Sequence, residues 1–364
     1  MTILNALEPR GEQPSVGSPP SYRRLLMVAL TFVVVFVAVR VAIRPINDTD
    51  YQIYRDGLEH FWQGQSPYPV TGYVLPPWAT VILAPLVNQP LEVWLALTVT
   101  IFVVSVLDQG SPVALLLLLH PIFLTLIASS NPEWIFIGTG VWLLEATPRG
   151  VGRGVAWVFL ASKPQTIWLL LVFDGIVALR QRDWKPFVVA GGWAVIAYLI
   201  TPMPPQIWIQ RGTTGLNWSL PIVYNYGVIG ALLVTAFILV VRWQRRNDYK
   251  TLGLLLSLVW TPYVLQYAFT TLLFAMRKAS WLRILVFLAG GIGLAYLFWR
   301  DFHVNEQAGA AGMLLLAAIM APSNVRDPRG TQPGTPAFSL SAAAATLRRR
   351  LTPHPHADRG TRTV

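Results

Sequence analysis

The chain has 364 residues, a formal charge of +11, no cysteine, 54% hydrophobic residues and only 12% charged ones. Soluble domains carry about 25% charged residues, so this composition excludes an ordinary soluble enzyme, and the missing sulfur excludes disulfide scaffolds, thiolate zinc sites and cysteine nucleophiles. The basic residues stand in short clusters between long apolar runs, which is a membrane pattern and not a nucleic-acid one.

Residues 1–21 are polar, rich in Pro, Gly and Ser, and lack a small-residue cleavage site after a short apolar core. They read as a disordered cytoplasmic leader. Arg23 and Arg24 precede an apolar run from Leu25 to Ile43, close to the roughly 20 residues that cross about 30 Å of hydrocarbon. This predicts a first spanning helix. Residues 45–75 then form an outward-facing first loop holding Asp48, Asp50, Asp56, Glu59 and His60. Within it, Asp50 or Thr49 caps a helix in which Tyr54, Leu58 and Phe61/Trp62 recur at helical spacing, ending at Gly64. Such a helix is expected to lie along the membrane surface with its aromatic face in the headgroups.

Further apolar runs fall at about 76–87, 91–107, 112–129, 132–146, 154–179, 186–202, 223–241, 251–276, 281–299 and 308–321. The clusters Arg149/Arg153, Arg180/Arg182/Lys185, Arg242/Arg245/Arg246/Lys250 and Arg277/Lys278/Arg283, with the tail Arg348–Arg350, mark the cytoplasmic side. An even number of crossings between inside clusters makes 154–179 and 251–276 tight hairpins of short helices, broken at Lys163-Pro164 and Thr261-Pro262, with tips at a protein-lined cavity. Between 76 and 129, either the first run is short or re-entrant or one of the next two is. The remaining outer segments are 203–222 and 300–307, and residues 322–364 form a basic, disordered cytoplasmic tail. The expected fold is therefore an all-α polytopic membrane protein of about ten to twelve transmembrane or half-spanning helices, with residues 22–321 as its membrane domain in the cell membrane.

A carboxylate at an outer water-lipid boundary suits one chemistry in particular. A polyprenyl-phosphate sugar presents its anomeric carbon at this depth, and transfer to a hydroxyl needs a base, a role typically worth about 10²–10⁴-fold. Asp50 is the best-placed base, whether or not it also caps its helix. Lys163 stands inside an apolar run, where a charge is costly unless it reaches phosphate, a carboxylate or the interface by snorkelling. Asn131-Pro132-Glu133 is a second polar tip, and Glu133 either pairs with Lys163 or touches substrate. The loop 203–222 offers Arg211 and Asn217-Trp218-Ser219, with Tyr224 and Tyr226 beyond it as sugar-stacking or interfacial-belt rings. No P-loop, dinucleotide fingerprint or HExxH motif is present, and Asp48-Thr49-Asp50 is too sparse for a cation site, so neither cofactor nor metal is expected.

Ordered short motifs resemble a known family. Asp50-Tyr-Gln-Ile-Tyr54, Gly64-Gln-Ser-Pro67-Tyr68, Leu75-Pro76-Pro77-Trp78 and Ala84-Pro85-Leu86 resemble the opening of the polyprenol-phosphate-mannose-dependent mannosyltransferases of the GT-C glycosyltransferase superfamily. Lys163-Pro164-Gln165, Asn217-Trp-Ser-Leu220 and Thr261-Pro262…Gln266-Tyr267 agree in order, so the resemblance covers about residues 45–270. It implies a GT-C-like bundle with Asp50 as catalytic base. It also implies a polyprenyl-phosphate hexose donor, with mannose as the expected sugar, used without nucleotide or obligatory metal. The chain departs from the family pattern at Gln266, where relatives commonly carry His, and at Ser129-Ser130, where they carry Gly-Gln. Glutamine hydrogen-bonds but does not titrate near neutral pH.

The expected activity is an inverting hexosyl transfer from a polyprenyl-phosphate donor to a glycolipid or glycan hydroxyl on the extracytoplasmic face. Asp50 would act as base, and Asp48, Tyr54, Asn131, Lys163, Arg211, Asn217, Gln266 and Tyr267 would contact substrate. Membrane lipid is the other expected partner, and nucleic acid is not one. A polyprenyl-linked sugar flippase and a catalytically silent lipid-binding relative are the alternatives. No internal repeat of the kind transporters show is evident.

Overall fold

The computed structural model describes residues 21–42, 49–201, 222–243, 248–261, 266–299 and 306–322, and only the backbone at 21–24, 40–42, 49, 224, 266–267, 297–299 and 306–307. Every regular element among them is helical. The expected leader, the outer loop 203–222 and the basic tail thus lie almost wholly outside the described residues.

Helix α1 spans Ser21–Ala42 and α2 spans Thr49–Trp62. After α2, Gly64 takes φ 73° and the Gln65 N–H donates back to the His60 carbonyl, the left-handed stop that glycine permits. The chain then folds over α2 as a loop to Pro76, and α3, Pro77–Leu83, continues into a 3₁₀ turn at Ala84–Leu86. Helix α4, Leu91–Gln109, is followed by a 3₁₀ segment at Pro112–Leu119 and by α5, Pro121–Ser129. These last two meet at 63°, a bend placed at His120-Pro121. Proline disfavours helix in the residue before it and cannot donate to the preceding turn, which makes the break. Two runs in this region are therefore short or broken, 76–87 and 112–129, while 91–107 is one continuous helix.

Helices α6 (Glu133–Ala146), α7 (Gly150–Ala161), α8 (Pro164–Arg180) and α9 (Lys185–Ile200) follow. Then come α10 (Ile222–Val241), α11 (Tyr249–Trp260), a 3₁₀ segment at Gln266–Thr270, α12 (Thr271–Met276), α13 (Trp281–Trp299) and α14 (Glu306–Met320). Among the described residues, α4 alone is long and apolar enough to cross a membrane by itself, and the bent pair with α5 would make a second span.

Helices α6, α7, α8 and α11 form the frame that positions the site. At α11, Gly253 lies so close to the Leu170 backbone on α8 that a Cβ would sit 2.6 Å from its Cα, so the two helices cross with nothing between them. At one end of this frame the Gly150 N–H donates to Asp183 at 2.7 Å, and Arg153 pairs with Asp174. There too the Tyr249 hydroxyl donates to Asp174 at 2.8 Å, and Glu145 pairs with Arg277 and Lys278. Arg153, Lys250, Arg277 and Lys278, the described basic residues held by these contacts, are thereby gathered at this end. The opposite end carries the starts of α6 and α8, separated from the basic end by about 20 Å of helix.

The main core centres on Trp134, whose ring lies 4.8 Å from Phe102 and 4.9 Å from both Phe123 and Phe274, and whose Nε1–H donates to Thr270 Oγ1 at 2.7 Å. A second core joins Tyr51, Tyr54 and Leu58 of α2 to Tyr68 and Tyr73 of the loop and to Trp94 and Phe136. This corrects the expected placement of Tyr54 and Leu58. Tyr54 is 5% exposed and Leu58 fully buried, so this part of the α2 stripe packs on protein and not in headgroups. The physical reason is the loop to Pro76, whose tyrosines fold back and supply the apolar cover. Trp62 does remain outward, at 62% exposure. Large apolar side chains are also exposed along α1, α9 and α10, among them Leu25, Val34, Val188, Leu199, Ile229 and Val240.

Candidate functional site

Three helix starts converge on one small polar cluster. Asp50 stands in the first turn of α2. Asn131 precedes Pro132, and its side-chain oxygen accepts from the Glu133 N–H at 3.0 Å, capping α6. Lys163, at φ −135° and ψ 63°, lies outside helical space because Pro164 follows it, and Pro164 opens α8 at a position where its missing donor costs nothing. Each break puts a polar residue where a continuous helix would have kept it in line.

The contacts tie these starts together. Asn131 Nδ2 donates to Asp50 Oδ2 at 2.9 Å. The Lys163 ammonium donates to the Tyr54 hydroxyl at 3.2 Å and lies 5.6 Å from the centre of that ring. Asn131, Glu133, Lys163 and Thr166 are all buried, whereas Asp50 is only half-buried and its Oδ1 takes no donor among the described residues. The cluster therefore opens at Asp50 and is sealed behind it. No family model, curated protein or solved structure matches the chain.

The charges are arranged unequally. Lys163 interacts electrostatically with both Asp50 and Glu133, so two carboxyl groups flank one ammonium. No direct ion pair joins Lys163 to Glu133, and the Lys163 head reaches a phenol in place of a carboxylate. Glu133 is 1% exposed, and its Oε1 has no hydrogen-bond partner among the described residues. An unsatisfied buried acceptor costs about 1–3 kcal/mol, so this oxygen is poised to take a donor. Burial, against the opposing charge of Lys163, raises the pKa of the Tyr54 hydroxyl, which keeps its proton at neutral pH.

Of the residues expected from sequence, Asp50, Tyr54, Asn131 and Lys163 are thus brought together. Asp48, Arg211 and Asn217 lie outside the described residues, as do the side chains of Gln266 and Tyr267. Sequence reasoning left Glu133 undecided and passed over Thr166, whose hydroxyl donates to the Lys163 carbonyl at 3.1 Å. A polar residue three positions after the break was the available signal, since i and i+3 share a helix face.

The cluster is anchored by aromatic donors. Tyr51 donates to the Gln89 carbonyl at 2.8 Å, Trp62 to Ala84 at 2.7 Å and Trp78 to Ala161 at 3.0 Å. These bonds hold α2, the following loop and α3 against the bundle, so Asp50 is carried on a fixed helix and not on a free loop. No group of three or more metal-binding side chains occurs among the described residues. Chemically, the arrangement offers a half-open carboxylate steadied by an amide, a buried cation behind it and a vacant acceptor at Glu133. That combination can accept a hydroxyl proton and hold a polyol.

Proposed function

We propose that this chain is a multispanning membrane glycosyltransferase that moves a hexose from a polyprenyl-phosphate donor to an acceptor hydroxyl on the extracytoplasmic face. The observation that carries the reading is the Asn131–Asp50 hydrogen bond, which steadies a half-buried carboxylate whose second oxygen takes no donor among the described residues. Asp50 Oδ1 takes the proton of the acceptor hydroxyl as that oxygen attacks the anomeric carbon. The bond from that carbon to the phosphate oxygen breaks on the opposite side, and the polyprenyl phosphate leaves with the electron pair. A single displacement inverts the anomeric centre. Lys163 offsets part of the charge gathering in the site, and Glu133 Oε1 accepts from a sugar hydroxyl.

The membrane placement rests on independent observations. Helix α4 is long and apolar enough to span, and α1 and α13, with 22 and 19 residues, match about 30 Å in length, while α10 is broken at Gly227. Isoleucine, leucine and valine are exposed along α1, α9 and α10, where water would penalise them at about 25 cal/mol per Å². Arg153, Lys250, Arg277 and Lys278 lie at the end of the frame away from Asp50, and such asymmetry orients multispanning proteins. On this reading the short helices α6 and α7 surround a site sunk below the outer surface, within reach of a lipid-borne sugar phosphate.

The test is transfer of labelled hexose from a synthetic polyprenyl-phosphate mannose, and from other polyprenyl-phosphate hexoses, to a membrane acceptor pool. Wild type is compared with Asp50→Asn. Transfer should fall by about 10²–10⁴-fold in the variant while donor binding persists. Equal transfer by both proteins would remove Asp50 as base. Donor binding without transfer by wild type would point to a flippase or a silent binder.

A further inference from the structure

The basic end of the bundle holds a charge imbalance that hexosyl transfer does not use. Glu145, near the end of α6, pairs with both Arg277 and Lys278. Lys250, in the first turn of α11, also acts on Glu145 electrostatically, yet among the described residues it donates only one long hydrogen bond, 3.4 Å, to the Leu144 carbonyl. Three cations thus share one carboxylate. Arg277 is 2% exposed, donates to the Phe274 carbonyl at 2.8 Å and to Gln109 at 3.4 Å, and has an Nε–H with no partner among the described residues. Glu145, Lys250 and Arg277 line one small cavity with room for about a single water. Lys278 stands beside it with its side chain 30% exposed.

Burial lowers the Lys278 pKa; Glu145 opposes the shift, while the neighbouring charges of Arg277 and Lys250 add to it. Two of the three cations pair directly with Glu145, and Lys250 acts on it only through space. The chemistry that would complete the cluster is an anion with several acceptor oxygens, one entering the cavity and the rest remaining at its mouth beside Lys278. We propose that Lys250, Arg277 and Lys278 form a phosphate-binding site at the basic end of the bundle, opposite the Asp50 cluster. A phosphate ester fits better than a small spherical anion, because the cavity admits one oxygen while Lys278, its side chain 30% exposed, stands outside the cavity lining and can meet the remaining oxygens. Basic pockets between helices on this side of membrane proteins suit anionic lipid headgroups, and free phosphate offers the same oxygens.

Full-length protein in a non-ionic detergent is unfolded thermally with phosphatidylglycerol, phosphatidylcholine or inorganic phosphate added at fixed ionic strength. Phosphatidylglycerol should raise Tm by a few degrees and phosphatidylcholine should not. In Lys250→Gln/Lys278→Gln the apparent affinity should weaken by about 30-fold. The exposed pair Arg182→Gln/Lys185→Gln, which removes equal charge from the same end, should respond as wild type. A shift with inorganic phosphate would assign a soluble phosphate, and a shift with phosphatidylglycerol alone would assign a lipid headgroup; either supports the site. Indifference of the wild type to both, or equal loss in the exposed pair, overturns it. Should the double variant fail to fold, Lys250→Gln alone, which gives up the long bond to Leu144 and a through-space attraction to Glu145 but no direct ion pair, serves the same comparison.

Discussion

Asn131 and Asp50, 81 residues apart, are joined by a 2.9 Å hydrogen bond from the amide nitrogen to one carboxylate oxygen. The same Asn131 side chain caps α6 through its oxygen, so one residue both starts a helix and aims the carboxylate. Replacing it with aspartate separates these functions. An aspartate at 131 still accepts from the Glu133 N–H, but it sets a negative charge against Asp50. The donor that steadies Asp50 Oδ2 is lost and the two like charges push apart, so the carboxylate is no longer held in place. Asn131→Asp should lower the transfer rate at neutral pH by about tenfold or more. An unchanged rate would show that the Asn131–Asp50 contact does not govern the reaction.

Lys163 and Glu133 are coupled without touching. Lys163 is 4% exposed and Glu133 1%, and each acts on the other's charge. Lys163→Met takes the ammonium away from half-buried Asp50 and buried Glu133 and removes the donor to the Tyr54 hydroxyl, and should cost about 1–3 kcal/mol. Glu133→Gln removes one of those charges, so the double variant should be more stable than the sum of the single losses, by about 1–3 kcal/mol. A thermal-unfolding cycle on the four proteins measures this directly. Strict additivity would mean that the two groups are screened from each other.

Much of this arrangement was legible in the sequence, for a local reason. A residue before proline is kept out of helical space, so the breaks at Asn131-Pro132, Lys163-Pro164 and His120-Pro121 can be read from dipeptides. Asp50 at a helix start is legible in the same way. The cover over each apolar face is not. Periodicity marks Tyr54 and Leu58 as one stripe, but a tyrosine-rich loop and a lipid surface satisfy that stripe equally, and only the folded chain shows Tyr68 and Tyr73 against it. Nor does any local signal connect Asn131 to Asp50 or Lys163 to Tyr54, which lie 81 and 109 residues apart.

Ser130 offers a test of backbone strain beside the site. It closes α5 with φ 53° and ψ 30°, in the left-handed region where a side chain costs about 1–2 kcal/mol. Its hydroxyl recovers little of that, since its bond to the Ile127 carbonyl is 3.4 Å long. Ser130→Gly should therefore stabilise the protein by about 1 kcal/mol, while glycine's greater freedom in the unfolded chain returns part of the gain. Transfer should be retained, because the Asn131 contacts do not involve the Ser130 side chain. A lower Tm would show that the Ser130 hydroxyl contributes more than its geometry indicates.

Asp174 tests the frame without touching the site. Its carboxylate is fully buried and accepts from Arg153 Nε at 2.8 Å, Arg153 Nη2 at 2.7 Å, Trp157 Nε1 at 2.7 Å and the Tyr249 hydroxyl at 2.8 Å. These donors come from α7 and α11, so Asp174 on α8 fastens three helices at the end remote from Asp50. Asp174→Ala leaves the buried Arg153 charge without its counter-ion and two further donors without an acceptor, a loss of about 3–5 kcal/mol. Tm should fall by roughly 10 °C. Because the penalty comes from the stranded charge and not from lost pairing alone, Arg153→Leu/Asp174→Leu should recover a large part of it. At a temperature well below the lowered Tm, Asp174→Ala should transfer hexose at a rate within a few-fold of wild type, since α6 and α8 still present Asn131, Glu133 and Lys163 from their other ends. Loss of transfer in protein that remains folded would mean instead that the two ends of the frame are mechanically coupled.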